Sequence, residues 1–264
     1  MQKKTSLLAS AFMLCATPLF ANMPLQTDDT GTQRTGHSQI EAGFQSASNE
    51  EDDGGVSHKS TNGALLTTLS YGLTDNIDLV AVLPLEWYTE KADGVKVTDE
   101  SGLGDLALQI KWRFYNNADA GFSLALKPGL TLPTGDDNKG FGNGKVSGGV
   151  TLIATHKAKL TSMHFNLGYI RNEYRLEALS NISNKDIWRA SIAAELNVND
   201  KLRAVGDLGI ATSTYKASDT NPAYILAGFI YGVSDNADLD IGIRGGLNDA
   251  ETDTTLLAGV TMRF

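Results

Sequence analysis

The last eleven residues of the chain, 254–264, alternate between two kinds of side chain. Because successive side chains of a β-strand point to opposite faces, one face of this segment is apolar from Leu256 to Phe264. The opposite face carries threonine, glycine and Arg263, with Leu257 among them. The pattern therefore predicts a final strand that has one face in an apolar environment and the other in a polar one.

A strand that runs to the carboxyl terminus and stops on an aromatic residue resembles the terminal strand of bacterial outer-membrane β-barrels. An unpaired strand edge is not tolerated in lipid, so the last strand of a membrane barrel must close on the first. A soluble edge strand has a similar pattern, and for this segment alone both interpretations stay open. In the barrel interpretation, Phe264 is the assembly signal that the barrel assembly machinery recognises.

Alternation of this kind recurs in twelve segments between residues 37 and 264. The segments are about 11–13 residues long, which is longer than typical strands of soluble proteins but suits tilted membrane strands. Five short connections alternate with six longer ones, and outer-membrane barrels have short periplasmic turns and long outer loops. The predicted longer loops are 48–60, 90–101, 134–143, 174–185, 214–221 and 248–253. We expect a transmembrane antiparallel β-barrel of about 12 strands, with 10 and 14 as alternatives because two of the loops are weakly patterned.

The charged residues of the predicted strands fall almost entirely opposite the apolar face. In one segment Leu108, Ile110 and Trp112 alternate with Gln109, Lys111 and Arg113. A soluble lipocalin-like carrier would show the same alternation with its apolar face inside. Aromatic residues near both ends of the strands, the terminal aromatic residue and a polar, glycine-rich opposite face favour the inverted arrangement, in which the apolar face meets lipid.

Placing the charged faces in the lumen defines a set of candidate lining residues. They are Glu41, Asp105, Lys111, Arg113, Lys127, Arg189, Glu195, Arg203, Asp207, Asp240, Arg244 and Arg263. Acids and bases nearly balance on the predicted inner wall. The set predicts either cross-strand ion pairs that make the wall rigid or a constriction that filters solutes by charge.

The N-terminus predicts export from the cytoplasm. Two lysines precede an apolar run that ends at Phe20, and Ala21 offers a cleavage position. The run is too short for a membrane-spanning helix and has the layout of a secretory signal peptide. We therefore assign residues 1–21 to a signal peptide, 22–36 to a polar N-terminal segment and 37–264 to the barrel. The polar segment would be either a periplasmic tail or a plug that folds back into the lumen.

Several classes of function are disfavoured by the sequence. The net charge of −9 falls to −11 once the two N-terminal lysines are removed, and nucleic-acid binding needs clusters of Lys and Arg. No spacing resembles a metal site, and no cofactor is expected. Ser162, His164 and Asn166 share one strand face, but neighbours on a face lie about 6.5–7 Å apart, too far for the direct contacts of nucleophilic catalysis. No catalytic residue is predicted.

Three stretches carry a resemblance to a known family: PLQTDDTGTQRTGHSQIEAGF at 24–44, SGLGDLALQIKWRFY at 101–115 and PGLTLPTGDDNKGFGNG at 128–144. They resemble outer-membrane proteins linked to meta-pathway phenol degradation, which are often described simply as transporters. The resemblance implies a barrel that admits small, often aromatic or hydrophobic, molecules. The functional residues of that family are poorly defined, so the resemblance assigns no residue a role.

We expect the protein to give small molecules, hydrophobic aromatics among them, a passive path across the bacterial outer membrane. Twelve strands enclose more room than eight but less than the sixteen or more of open porins, so the path should be narrow or partly plugged. A non-conducting structural or adhesive barrel is the alternative, and an outer-membrane hydrolase is less favoured. The expected partners are the outer-membrane bilayer, the barrel assembly machinery and a small solute, and the oligomeric state is open.

Overall fold

The computed structural model describes residues 23–53 and 55–264, so the predicted signal peptide lies outside the described residues. The described chain forms thirteen β-strands and one short helix, α1, at Glu177–Ile182. The strands are β1 Ser38–Asp53, β2 Val56–Thr74, β3 Ile77–Ala92, β4 Val95–Leu103, β5 Leu106–Asn117, β6 Phe122–Leu132, β7 Ser147–Lys157, β8 Thr161–Arg171, β9 Asp186–Asn197, β10 Leu202–Ala211, β11 Ala223–Ser234, β12 Ala237–Gly246 and β13 Thr254–Arg263. Within those described residues, no helix has the length and apolar character needed to span a membrane.

Twelve of the strands close into an antiparallel barrel. The last strand, β13, pairs with β1 from Gln39 opposite Arg263 to Ser48 opposite Thr254. Beyond that ladder, the Phe264 N–H donates to the Ser38 carbonyl at 2.8 Å, and the Ser38 N–H donates back at 3.1 Å. The predicted twelve-stranded barrel is confirmed, and β4 is an additional strand that pairs only with β3.

Alternation along the strands separates two surfaces. On β13, Leu256 and Met262 are exposed on the outside of the barrel, whereas Thr255 and Thr261 are buried inside it. Aromatic side chains on the outer surface lie in contact, with ring centroids 5.7 Å apart for Trp112 and Phe114. An outer belt of exposed apolar residues is unfavourable in water and favourable in lipid, so the inverted arrangement predicted from the alternation is present.

Two segments predicted as loops are strands instead. The β1–β2 ladder continues to Asp53 opposite Val56, which covers most of residues 48–60. Residues 90–101 are divided between the end of β3 and the added strand β4. These extensions stand beyond the apolar belt, where both faces meet water, so apolar and polar residues do not alternate there and the period-two signal is lost. The predicted loop 174–185 also contains α1.

Candidate functional site in the barrel lumen

The interior of the barrel is occupied by residues 23–35, which we call the lumen segment. Its backbone and side chains hydrogen-bond to residues of seven strands, β3 and β5 to β10. Most of its residues from Met23 to Thr30 are buried. The polar segment before β1 therefore lies against the inner wall in this structure.

Asp28 is the most heavily bonded residue of the lumen segment. Its carboxylate accepts from Lys127 Nζ at 2.7 Å and from Lys111 Nζ at 2.9 Å. Its backbone N–H donates to the side-chain oxygen of Asn166 at 2.7 Å, and the Asn166 amide donates to the Asp28 carbonyl at 2.8 Å. All four residues are buried, so one aspartate joins two wall lysines in a region that excludes water.

Asp29 adds a weaker contact beside that cluster. Its carboxylate lies 3.5 Å from Lys111 Nζ and accepts a hydrogen bond from the Gly31 N–H. Burial acts to raise the pKa of Asp29, but the positive charges of Lys111, His164 and Lys157 and the Gly31 hydrogen bond outweigh it and hold the pKa well below its usual range. Asp29 is therefore ionised throughout the neutral range.

Asp207 on β10 binds the opposite end of the lumen segment. Its two carboxylate oxygens accept from the Gln26 N–H at 2.7 Å and from the N–H and hydroxyl of Thr27, both at 2.8 Å. The Tyr224 hydroxyl donates a fourth hydrogen bond at 3.1 Å. The Asp207 carboxylate therefore accepts four hydrogen bonds, and three of them come from the lumen segment.

The end of the lumen segment nearest β1 is fastened to the β2–β3 turn. The Gln33 N–H lies 3.1 and 3.0 Å from the two oxygens of Asp78, and the Thr35 hydroxyl donates to Asp75 at 2.7 Å. The hydrogen bonds from Thr35 hold the pKa of Asp75 below its usual range. This short-turn side of the barrel is the predicted periplasmic side.

Apolar contacts complete the packing of the lumen segment. Met23 and Leu25 form a buried cluster with Ala193, Val205, Leu226, Ile230 and Leu257. A second inward-facing apolar cluster, on β2, β3 and β5, consists of Ala64, Leu66, Val80, Val82 and Ala107. The prediction of a polar, glycine-rich inner face is therefore only partly right, because aliphatic side chains also face inward wherever they meet the lumen segment or each other.

A chain of ion pairs crosses the wall between β8 and β13. Arg203 donates to Glu195 at 2.8 Å and to Asp238 at 3.2 Å, and Arg263 donates to the same Asp238 at 2.8 Å. Glu195 also bonds His164 Nε2 at 3.1 Å. These contacts are the cross-strand pairs that the near-balance of acids and bases predicted as one of two possibilities.

The other candidate lining residues have varied surroundings. Arg113 donates to the Asp75 carbonyl at 2.9 Å, and Arg189 is half-buried on β9. Arg244 donates to the Thr255 hydroxyl at 3.3 Å and lies 5.5 Å from the Tyr224 ring centre. Glu41 and Asp240 are both buried on the inner face.

The outer mouth is covered by the connection between β6 and β7. Asp105 accepts from the backbone N–H groups of Gly135 at 3.0 Å and Asn143 at 2.8 Å, which pulls that connection inward and buries Phe141. Arg175 donates to Asp137 at 2.7 Å, and this hydrogen bond holds the pKa of Asp137 below its usual range. Asp105 thus holds a loop rather than facing open lumen.

Sequence reasoning missed the uncharged polar residues that hold the lumen segment. Thr30 bonds Ser123 at 2.5 Å and Thr155 at 3.1 Å, and Thr27 bonds Ser191 at 2.7 Å. Ser, Thr and Asn are common on any polar strand face. Only their number on β6–β9 could have indicated that this part of the wall binds another segment of the chain. Of the three residues weighed as a catalytic set, Asn166 bonds Asp28, and His164 bonds Thr155 and Glu195.

A cavity of about 620 Å³ lies between the lumen segment and the short-turn side of the wall. Gln33, Arg34, Glu41, Val80, Arg263 and Phe264 are among its lining residues. Its volume is in the range of about 300–1,000 Å³ that small-molecule sites have. Within residues 23–53 and 55–264, no group of three or more metal-ligating side chains is placed to hold a metal ion.

The closed barrel, its outer apolar belt and its occupied lumen define a bacterial outer-membrane β-barrel. Residues 21–264 match the family described as "Putative MetA-pathway of phenol degradation", and the chain belongs to that family. No curated protein matches the chain.

Solved structures show the same architecture. The chain is similar to an outer-membrane channel from Pseudomonas putida F1, with a TM-score of 0.69 at 17% identity over 89% of this chain and 98% of that one. It is also similar to the NanC porin, with a TM-score of 0.54 at 10% identity over 85% and 98%. The translocator domain of the autotransporter NalP from Neisseria meningitidis gives 0.52 at 13% over 88% and 90%. At such low identities the likeness establishes the fold alone.

Proposed function

We propose that the protein gives small molecules a passive path across the outer membrane. The observation that carries this proposal is the way in which the lumen is filled. Much of the interior is occupied by a separate stretch of chain, residues 23–35, which packs against the inward-facing side chains of the wall. Such a stretch can leave without unfolding the barrel, because no strand-to-strand hydrogen bond of the wall depends on it.

The contacts of the lumen segment support a removable plug. Asp28 bonds Lys111 and Lys127, and Asp207 accepts from the backbone N–H groups of Gln26 and Thr27, so each of these contacts involves at least one charged side chain. Water can replace contacts of this kind when the segment moves, whereas a purely apolar core would leave an interior that resists hydration. Once the lumen segment has left, a lumen lined by these groups would fill with water and let small solutes pass.

The finer proposal concerns the solute. Leu66, Val80 and Val82 form an apolar strip on the inner wall, and Val80 reaches the cavity on the short-turn side. An apolar strip beside charged groups suits small molecules with an aromatic or aliphatic body and one polar end. This supports passage of small hydrophobic aromatics, in line with the family to which the chain belongs.

We also propose that the protein is not an enzyme. Both ring nitrogens of His164 are bonded within the wall, to Thr155 at 3.0 Å and to Glu195 at 3.1 Å. A general base must reach the proton that it removes. His164 is buried, and both of its ring nitrogens already have partners within the wall, so neither is free to take a proton from another group.

Planar-bilayer conductance and liposome uptake test the proposed path. The mature protein should show low, fluctuating conductance, and a variant that lacks residues 23–33 should show a larger and steadier one. In this deletion variant, uptake of phenol and uptake of a neutral sugar of similar size should both increase, and phenol should enter faster than the sugar. A length-matched variant, in which residues 23–33 are replaced by a Gly-Ser stretch, separates loss of contacts from loss of chain. Folded barrels that pass neither ions nor solutes in any of these forms would support the structural or adhesive alternative instead.

A further inference from the structure

The connection between β6 and β7, residues 133–146, folds over the outer mouth, and we call it the outer loop. It is rich in glycine, with Gly135, Gly140, Gly142 and Gly144. Gly140 and Gly144 have φ of 83° and 66°, in the left-handed region that other residues rarely adopt. A stretch of this composition folds tightly but has little rigidity of its own, so contacts with neighbouring elements must hold it in place.

One side of the outer loop is attached to the junction of β4 and β5. Asp105 accepts the backbone hydrogen bonds of Gly135 and Asn143. Phe141 is almost completely buried, and its ring lies against Gly102 of β4, with Cδ2 3.1 Å from the position that a Cβ of that glycine would take. This attachment is therefore buried and rests on the strands of the wall.

The other side of the outer loop is attached to the connection between β8 and β9, residues 172–185. Arg175 donates from Nε and Nη2 to the two carboxylate oxygens of Asp137, at 2.7 Å each. The same Nη2 donates to the side-chain oxygen of Asn138 at 3.1 Å, and the Arg175 backbone N–H donates to the Asn143 carbonyl at 2.8 Å. One arginine thus links the two connections across the outer mouth.

The two attachments differ in their exposure to water. The Asp105 side chain is buried, whereas the Arg175 side chain is 48% exposed although Asp137 is buried. A bidentate arginine–carboxylate pair is geometrically specific, but water can solvate its charges once they separate, so an exposed pair contributes little stability. Buried hydrogen bonds cost more to break. The Arg175 side of the outer loop should therefore be released before the Asp105 side.

We propose that the outer loop is a gate over the outer mouth and that the Arg175–Asp137 pair is its latch. When the pair separates, the outer loop moves about its attachment at Asp105 and uncovers the lumen. The lumen segment is held by other residues, Lys111 and Lys127 among them, so the two closures are independent. The path would then have a second, weaker barrier in series with the lumen segment. This consequence for solutes rests on the proposed function, whereas the movement of the outer loop does not.

Limited proteolysis of the purified, folded barrel in detergent tests the latch without measuring conduction. The outer loop contains Lys139 and Lys145, and a lysine-specific protease cuts there when the surrounding chain is released. Where reclosing is fast, the rate of cutting follows the fraction of released loop. Arg175→Gln keeps a long polar side chain but removes the charge, so both sites should be cut about five- to tenfold faster than in the wild type. Arg175→Lys keeps the charge without the fork and should give an intermediate rate.

Arg171→Gln is the matched control for this test. The Arg171 side chain has the same exposure, 48%, but it pairs with Glu173 and Asp186 of its own hairpin, so the rate should stay at the wild-type value. Asp137→Asn should act like Arg175→Gln, and the double variant should be cut no faster than either single variant, because both substitutions break one pair. Equal rates in the wild type and Arg175→Gln, or effects that multiply in the double variant, would overturn the latch.

Conductance then tests whether the latched loop is a gate. In the barrel that lacks residues 23–33, Arg175→Gln should reduce the ratio of time spent in low-conductance states to time spent in the high-conductance state by a similar factor. Faster cutting with unchanged conductance would show a released loop that lies off the path and would overturn the gate. If no form of the barrel conducts, the proposed function fails, and the cutting rates still decide whether Arg175 holds the outer loop.

Discussion

Asp28→Asn should release the lumen segment more than any other single substitution. Asp28 bonds both Lys111 and Lys127, and the Lys127 pair is almost completely buried, with side chains 3% and 6% exposed. Asparagine keeps the size of the side chain and the backbone bonds to Asn166 but removes the charge. Two wall lysines then face a neutral group for as long as the lumen segment stays in place.

The magnitude follows from the burial of the pair. Breaking a buried ion pair by removing one partner costs about 3–5 kcal/mol. The lower end applies here, because Lys111 retains Asp29 at 3.5 Å and because both lysines become hydrated when the lumen segment leaves. A loss of about 3 kcal/mol changes the ratio of released to bound lumen segment by about 100-fold, at 1.4 kcal/mol per factor of ten.

Single-channel recording measures this ratio as the fraction of time spent in the high-conductance state. A barrel open for roughly one part in a thousand would be open for roughly one part in ten after the substitution, by the same arithmetic. Asp29→Asn is the matched control, since Asp29 is the neighbouring acid with a longer and more exposed contact, and its effect should be much smaller. The reasoning is refuted if Asp28→Asn matches the wild type while deletion of residues 23–33 opens the barrel.

Three further predictions concern topology, closure and pH. The single cysteine of the sequence, Cys15, lies in the predicted signal peptide, so Glu51→Cys should be labelled on intact cells and Ala118→Cys should not; the reverse result would contradict the predicted orientation of the barrel. Deleting Phe264 removes its two hydrogen bonds to Ser38 and a lipid-facing ring, so less heat-modifiable barrel should reach the outer membrane; unchanged abundance would contradict this. The lowered pKa of Asp29 contributes stability that is present above about pH 3.9, the pKa of aspartate in the unfolded chain, and is lost only below that pH. Titration of Asp29 should therefore not raise the conductance between pH 8 and pH 5. A rise in that range that Asp29→Asn abolishes would contradict the ion pair with Lys111.

The barrel could be predicted from the sequence because lipid imposes a period of two on every spanning strand. Residues such as Leu256 and Met262 must be apolar, and their neighbours must not be, so the alternation survives wherever the strand crosses the membrane. Outside the membrane that constraint ends. The upper parts of β1 to β4 are held by backbone hydrogen bonds between polar residues, and no side-chain period marks them.

The contacts inside the lumen were harder to predict, because they depend on which wall residues the lumen segment meets after folding. The alternation along the strands identifies Lys111, Lys127 and Asp207 as lumen-facing residues. It does not show that Asp28 and Thr27 contact them from more than 80 positions away in the sequence. The polar composition of the segment before β1 left a tail and a plug equally open. The inward-facing leucines and valines were not predicted either. An isolated apolar residue on a polar strand face has no evident role in the sequence, because its packing partner lies far away along the chain.

The height of β1–β4 makes the barrel lopsided above the membrane. β1, β2 and β3 have 16, 19 and 16 residues, whereas most of the later strands have 10 to 12, so at about 3.3 Å per residue they rise roughly 15 Å higher before tilt is counted. The β3–β4 hairpin ends at Asp93 and Gly94, with φ of 50° and 78°, the conformation of a tight turn that suits twisted hairpins. That turn stands apart from the lumen and from the closing seam. It is the natural position for an epitope or a fluorophore that reports on the living cell surface while the barrel below it continues to function.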